Sequence, residues 1–240
     1  MEDKVSVIIS SYNRFRYLLN TIESVKNQTH RNVEIIVVND NSAQKEYYEY
    51  NWAAKGIKML HLPVNSRYIF GYASAGFVKN KGVEIATGNY IAYCDDDDIW
   101  FPRKLELQLK AMKETGCRMS STEGFIGNGV YDSSKTYKRY NSEHYYEILQ
   151  TIYRNKGSSL LENGFPSIWN YEFLRVHNCM ICSSVILETE LLKQINYMNC
   201  LPTNQEDYDC WLRALQHTNS AYVNEVCFYY DLNHGDGQDY

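Results

Sequence analysis

At 240 residues, with 44% hydrophobic and 22% charged side chains, the chain is long enough for a sizeable core and falls outside the disordered and fibrous classes. A formal net charge of -5, with Lys and Arg scattered along the sequence, offers no electrostatic footprint for a nucleic-acid partner. No apolar run approaches the roughly 18 residues of a spanning helix, and Glu2 and Asp3 stand where a signal peptide needs basic residues, so a soluble, cytoplasmic chain with no transmembrane segment is expected.

The first half alternates strand and helix signals. "VSVIIS" (Val5 to Ser10) and "VEIIVV" (Val33 to Val38) are continuous β-branched runs of the kind a strand buried on both faces uses. Between them Phe15, Leu18, Leu19, Ile22 and Val25 recur at helical spacing, which makes a βαβ unit with parallel strands and a right-handed crossover. "IKMLHL" (Ile57 to Leu62) reads as a third strand, Ala73 to Ala86 as a helix stopped at Thr87 and Gly88, and "YIAYC" (Tyr90 to Cys94) as a fourth strand. After Pro102, Leu105, Leu109 and Met112 mark a helix closed near Gly116. From Ser120 to Phe173 the periodicity is weak, and only a helix near His144 to Arg154 is assigned. "MICSSVIL" (Met180 to Leu187) then reads as a strand, with a short helix from Glu188, an amphipathic helix carrying Tyr208, Trp211, Leu212 and Leu215, and a final strand over Ala221 to Tyr230.

Cys179 and Cys182 form the only CxxC among seven Cys, in an apolar context without a second pair, so reduced, buried thiols are expected in place of a zinc site. Three polar clusters fall where strands end: "SSYNR" (Ser10 to Arg14), "NDNS" (Asn39 to Ser42) and the four acids Asp95 to Asp98. In an open parallel sheet the carboxyl ends of strands share one edge, so the three can converge on one ligand. Each cluster alone is also what a turn uses. Four adjacent carboxylates repel one another, and a divalent cation resolves that repulsion; Mg²⁺ commonly takes one or two carboxylates plus phosphate oxygens. The alternative is a solvated acidic loop, which the flanking apolar residues disfavour, while the spaced ligands, central Gly and closing Glu of an EF-hand are missing. A fourth cluster, "NQEDYDCWLRALQ" (Asn204 to Gln216), opens the late helix. Asp209 and Arg213 are four apart and pair along its surface. Glu206 and Asp207 either favour the positive helix N-terminus or supply a general base.

In order along the chain, "VSVIISSYNR", "QTHRNVEIIVVNDNS", "GVEIATGNYIAYCDDDDIWFP" and "QEDYDCWLRAL" resemble glycosyltransferase family 2, the inverting enzymes that use nucleotide-diphosphate sugars. The resemblance covers the first half and the late helix well and Ser120 to Phe173 poorly. It implies an α/β GT-A (Rossmann-like) fold: a mixed, mostly parallel central sheet flanked by helices, in a single domain over 1–240, with a nucleotide-sugar half at 1–119 and an acceptor half at 120–240. It also implies that Ser10, Tyr12 and Asn13 line the nucleotide pocket and that Asp40 binds the base, although Asn39 replaces the first acid of the family's "DD" pair. The family's DxD motif falls on Asp95 and Asp97, with Asp97 and Asp95 as ligands of Mn²⁺ or Mg²⁺ and Asp95 or Asp96 near the ribose. Lys79, in "VKN" where many members have Arg, is expected at the diphosphate, losing the bidentate fork of Arg. Asp207 matches the catalytic base, and His234 in "DLNHGDG" resembles a late His directed at the metal or diphosphate.

The implied reaction is inverting transfer from a UDP-sugar to a glycan or other hydroxyl acceptor. Trp169, His177, Asn178 and Glu206 are candidates for the acceptor cleft. A nucleotidyltransferase, the competing enzyme reading, would carry a Gly-rich basic loop after the first strand, and "SSYNRFRY" has no Gly. A non-catalytic sugar-nucleotide-binding module is the third reading, and the retained Asp207 argues against it.

Overall fold

The computed structural model describes residues 3–203 and 205–233. In chain order, β1 (Val5–Ser11), α1 (Phe15–Lys26), β2 (Val33–Asn39), α2 (Glu46–Glu49), β3 (Ile57–His61), α3 (Ser66–Phe70), α4 (Ala75–Glu84) and β4 (Tyr90–Tyr93) build the first half. Then come β5 (Ile99–Trp100), α5 (Lys104–Thr115), β6 (Met119–Gly127), β7 (Lys138–Arg139), α6 (Tyr146–Asn155), β8 (Ile168–Trp169) and α7 (Tyr171–Leu174). Finally β9 (Ile186–Glu188), α8 (Thr189–Gln194), α9 (Glu206–Ala214) and β10 (Ser220–Asp231) complete the described chain.

One sheet runs in the order β3-β2-β1-β4-β9-β6-β10-β5, with β7 on β6 and β8 on β10. β3, β2, β1 and β4 pair in parallel, as do β6 and β10, while β9 is inserted antiparallel between β4 and β6. The sheet is therefore mixed and mostly parallel, as expected.

Every residue of β1 is buried, because helices cover both faces. Val5, Val7 and Ile9 point to a core with Leu18, Ile22 and Val25 of α1 and Leu105 and Met112 of α5. Ile8, with Ile36 and Val38 of β2, points to the other, larger core with Val78 and Val83 of α4 and Trp211 of α9. This alternation is the period-2 geometry of a strand, and each such buried side chain contributes about 1.5–3 kcal/mol. Gly82 lets α4 settle directly on the sheet: a Cβ there would meet Ile8 Cγ2 at 2.7 Å.

Two expectations need correction. "MICSSVIL" is not one strand: Cys182–Ser184 forms a 3₁₀ turn and the strand starts only at Ile186. The Ser hydroxyls take over backbone partners there, Ser184 Oγ donating to Ile181 O at 2.7 Å and Ser183 Oγ accepting from Asp95 N–H at 2.9 Å. The weakly periodic middle also contains β6, a strand in the centre of the sheet. All seven Cys are free thiols, six of them buried and Cys200 half-buried. Among the described residues no helix is long and apolar enough to cross a membrane.

Candidate active site

The carboxyl ends of β1, β2 and β4 share one edge of the sheet, and the polar clusters meet there. Asn13 has φ 54° and Asn41 φ 57°, a left-handed conformation that Asn tolerates better than bulkier residues. Through these tight turns the two loops are stitched together: Asn13 N–H donates to Ser42 Oγ at 2.9 Å, and Ala43 N–H donates to Asn13 Oδ1 at 2.8 Å.

Asp95 to Asp98 form the turn between β4 and β5, closed by Asp98 N–H on Asp95 O at 3.2 Å. Their side chains separate in different directions. Asp95 pairs with Lys79 Nζ of α4 at 2.9 Å. Asp96 accepts from Ser11 Oγ at 2.6 Å and from Arg14 Nη1 at 3.1 Å, and the same Arg14 nitrogen reaches Asp97 at 3.0 Å. Asp98 turns inward, fully buried, to accept from Asp231 N–H at 3.2 Å, while its carbonyl accepts from Thr21 Oγ1 at 2.8 Å. Only the first three acids therefore belong to the site, and the fourth holds α1 and β10 to the turn.

Burial and the adjacent Asp97 charge push the Asp96 carboxyl up, against the pull of Arg14. Burial disfavours the charge on Lys79, but Asp95 and Glu206 outweigh it and hold the ammonium well above its ordinary range. A cavity of about 270 Å³ lies over this turn, lined by Ser10, Arg14, Lys79, Asp95, Asp96, Asp97, Glu206 and Tyr230 among others. Its walls thus carry two buried cations and four carboxylates.

Glu206 and Asp207 open α9. Glu206 is brought to the cavity by α4: a Cβ on Gly76 would stand 3.1 Å from Glu206 Cγ, so only a glycine lets the two helices close. Glu206 Oε2 has no hydrogen-bond partner among the described residues. Asp207 is half-buried and accepts from Tyr208 N–H at 2.6 Å. Burial raises its carboxyl to about 6, partly countered by that bond and by Lys79. Asp209 pairs with Arg213 at 2.9 Å, as its spacing implied.

Other site candidates land elsewhere. Asp40 is fully buried, and its carboxylate accepts from Ser66 N–H at 2.8 Å, Ser66 Oγ at 2.7 Å and Asn65 Nδ2 at 3.1 Å. It fastens the start of α3 and is not presented to a base, a correction with a local cause: Asn65 caps that helix and Ser66 follows it. Trp169 is also corrected. It is fully buried, stacked on Tyr222 with centroids 4.2 Å apart, and belongs to the core. His177 and Asn178 line a separate cavity of about 220 Å³. Tyr12 is half-buried, and His234 lies outside the described residues.

Sequence reasoning passed over Arg14 and Tyr230 as site residues. Arg14 sits inside the quoted "SSYNR", yet its partners are 82 and 83 positions away, and no local pattern predicts that pairing. Among the described residues no three His, Cys, Asp or Glu side chains already surround a common metal position. The donor set still fits Mg²⁺ or Mn²⁺: the carboxylate oxygens are hard ligands, they already attract two cationic groups, and such ions need only one or two protein carboxylates beside substrate phosphates.

Comparison with known proteins agrees with this architecture. The profile of Glycosyl transferase family 2 matches residues 6–171. An uncharacterized glycosyltransferase of Rickettsia bellii (strain RML369-C) is 36% identical over 211 residues, 87% of this chain but 26% of that protein, so the chain spans about a quarter of its length. The Escherichia coli UDP-Glc:alpha-D-GlcNAc-diphosphoundecaprenol beta-1,3-glucosyltransferase WfgD is 29% identical over 233 residues, covering 95% of this chain and 77% of WfgD. The crystal structure of S. aureus TarS 1-349 in complex with UDP-GlcNAc superposes with a TM-score of 0.71 at 17% identity, over 98% of this chain and 60% of that one, a likeness of fold. The GT-A arrangement is thus shared across nearly the whole chain, the family profile runs from β1 to the start of α7, and this chain belongs to glycosyl transferase family 2.

Proposed function

We propose that the chain transfers a sugar, with inversion, from a nucleotide-diphosphate donor to an acceptor hydroxyl, and that the donor is a UDP-sugar used with Mn²⁺ or Mg²⁺. The observation that carries this reading is the cavity over the Asp95–Asp98 turn, where Arg14 and Lys79 face Asp95, Asp96 and Asp97 at 2.9–3.1 Å. Cations balanced against carboxylates in a buried site suit a ligand that brings both phosphate charge and a metal. The UDP-sugars in the names of WfgD and of the TarS complex support the choice of base.

In this reading residues 1–119 form the donor half, with Ser10, Tyr12 and Asn13 beside the nucleotide and Asp95 or Asp96 near the ribose. Residues 120–240 form the acceptor half. Asp97 and Asp95 would hold the divalent ion, which supplies Lewis-acid neutralisation of the diphosphate when bound. Arg14 and Lys79 exchange their carboxylate partners for phosphate oxygens as the donor enters. Asp207 takes the proton of the acceptor hydroxyl while that oxygen bonds to the anomeric carbon. The bond from that carbon to the phosphate oxygen breaks, its electron pair leaves with the diphosphate, and the configuration inverts in one displacement.

Calorimetric titration of UDP with and without Mn²⁺, followed by a screen of UDP-sugars for transfer and product anomer, tests the reading. The expected result is Mn²⁺-dependent UDP binding that Asp97→Ala abolishes, and an inverted product. Binding heats that Asp97→Ala leaves unchanged would sink the metal assignment, and a retained anomer would sink the single displacement.

A further inference from the structure

Tyr47 stands outside the donor cavity, in the short helix α2, within a run "KEYYEY" that gives no local reason to assign it a role. Its side chain is fully buried, and its ring meets Phe15 of α1 edge-on with centroids 5.6 Å apart. A Phe would fill that space equally well, so the hydroxyl has to be explained by what it touches. It accepts from Arg14 N–H at 3.1 Å and is hydrogen-bonded to Ser11 Oγ, and both of those residues reach the acid turn.

The direction of these bonds follows from counting protons. Ser11 is fully buried and has one hydroxyl proton, which goes to Asp96 Oδ2 at 2.6 Å, where a carboxylate can only accept. The bond between Tyr47 and Ser11 is therefore donated by the phenol. Burial and the nearby Asp96 charge push that phenol up to about 12, so it keeps the proton it gives. Arg14 closes the circuit from its other end, since its guanidinium Nη1 reaches Asp96 Oδ1 at 3.1 Å and Asp97 Oδ2 at 3.0 Å. The donors thus run from Arg14 N–H to Tyr47, from Tyr47 to Ser11 and from Ser11 to Asp96, and each polarises the next. Arg14 precedes α1 with φ -128° and ψ 37°, outside the helical range, and its side chain makes no capping bond there. The phenol oxygen supplies the acceptor that its N–H needs, and so holds the main chain from which the guanidinium extends.

We infer that Tyr47 is a positioning residue of the donor site: through Ser11 and the Arg14 main chain it keeps Asp96 anchored to the protein, leaving Asp95 and Asp97 as the carboxylates open to the divalent ion of the donor. Asp96 lies between those two in sequence, and once released it would compete for the same cation while its charge repelled theirs. This role presupposes the donor reading above, in which Asp95 and Asp97 hold the ion. A tyrosine that only packed α2 against α1 would have no use for a hydroxyl directed at Ser11 and Arg14.

Calorimetric titration of UDP with Mn²⁺ into the wild type, Tyr47→Phe, Ser11→Ala and the double variant tests this, with Tm measured on the same samples. Each single variant is expected to weaken Mn²⁺-dependent UDP binding about tenfold. The double variant is expected to lose no more than either, because both changes break one chain of bonds. Wild-type affinity in Tyr47→Phe, whatever its Tm, would reduce the hydroxyl to a packing group and overturn the inference, as would losses that add in the double variant. If Tyr47→Phe does not fold, Ser11→Ala decides alone, and undiminished affinity there breaks the proposed chain. Should the wild type itself bind no UDP with Mn²⁺, the donor reading fails and takes the role of Tyr47 with it; wild-type binding that Tyr47→Phe leaves intact removes the role of Tyr47 alone.

Discussion

Four adjacent carboxylates are tolerable in Asp95–Asp98 because each has a compensating donor: Lys79 for Asp95, Ser11 and Arg14 for Asp96, the same Arg14 for Asp97, and the backbone N–H of Asp231 for Asp98. Like charges about 4 Å apart repel by about 1 kcal/mol in water and by more where solvent is excluded, so the two cations are needed before any ligand arrives. Asp207 illustrates the opposite balance, since burial holds its carboxyl near 6, above the ordinary value of 3.8. A base must be ionised to accept a proton, so transfer should rise with pH through about 6 and then level off. Asp207→Asn should remove that limb and lower turnover by roughly 10² or more while UDP binding persists. The same shift has a stability sign. A raised folded-state pKa means that ionised Asp207 disfavours the fold above about 6, so Asp207→Asn should raise Tm at pH 8 and leave it nearly unchanged at pH 3.5, below the ordinary carboxylate value. Normal turnover in that variant, or a pH profile flat from 5 to 8 in the wild type, would remove Asp207 from the role.

At the scale of elements, Glu34 ties the first parallel strands together. It accepts from Lys58 Nζ of β3 at 2.7 Å, from Ser6 Oγ of β1 at 2.5 Å and from Thr87 N–H before β4 at 2.6 Å. Burial alone would raise its carboxyl, but these bonds outweigh it and bring it from 4.5 to about 2. A lowered folded-state pKa contributes stability that is full above 4.5 and lost as pH falls through about 2. Urea denaturation at pH 7 and pH 2.5 should therefore show Glu34→Gln less stable at pH 7 with the gap narrowing at pH 2.5; equal gaps at both would show that the clasp does not carry the linkage. The neighbouring strands were legible in the sequence because β-branched runs and helical spacing are local signals. β6 was not, because "MSSTEGFIG" spends Ser, Thr and Glu on buried positions and reads as a loop. Its Glu123 is satisfied by Asn141, Ser142 and Tyr222, up to 99 positions away, and no window of sequence contains them.

Across the whole molecule, Trp169 decides how the second half of the chain holds together. β8 adds to the edge of β10, and the indole packs on Tyr222 at 4.2 Å and Phe173 at 4.8 Å. Trp169→Ala should cost about 3–5 kcal/mol in urea denaturation, as large core truncations do, while folded protein keeps its UDP affinity; a stable variant with altered acceptor use would return Trp169 to the cleft. Its aromatic character was visible in the sequence, but whether an aromatic lines a pocket or fills a core depends on what packs against it. The sequence by itself determined the βαβ order of the first half, the strand-end positions of the polar clusters, the amphipathic α9 and the family resemblance, because these rest on short-range periodicity and on motifs read in order. Only the tertiary structure decided that Arg14 bridges Asp96 and Asp97, that Asp40 faces inward, and that Asp98 serves the fold. Each depends on side chains brought together from distant segments, where burial, not spacing, selects the partner.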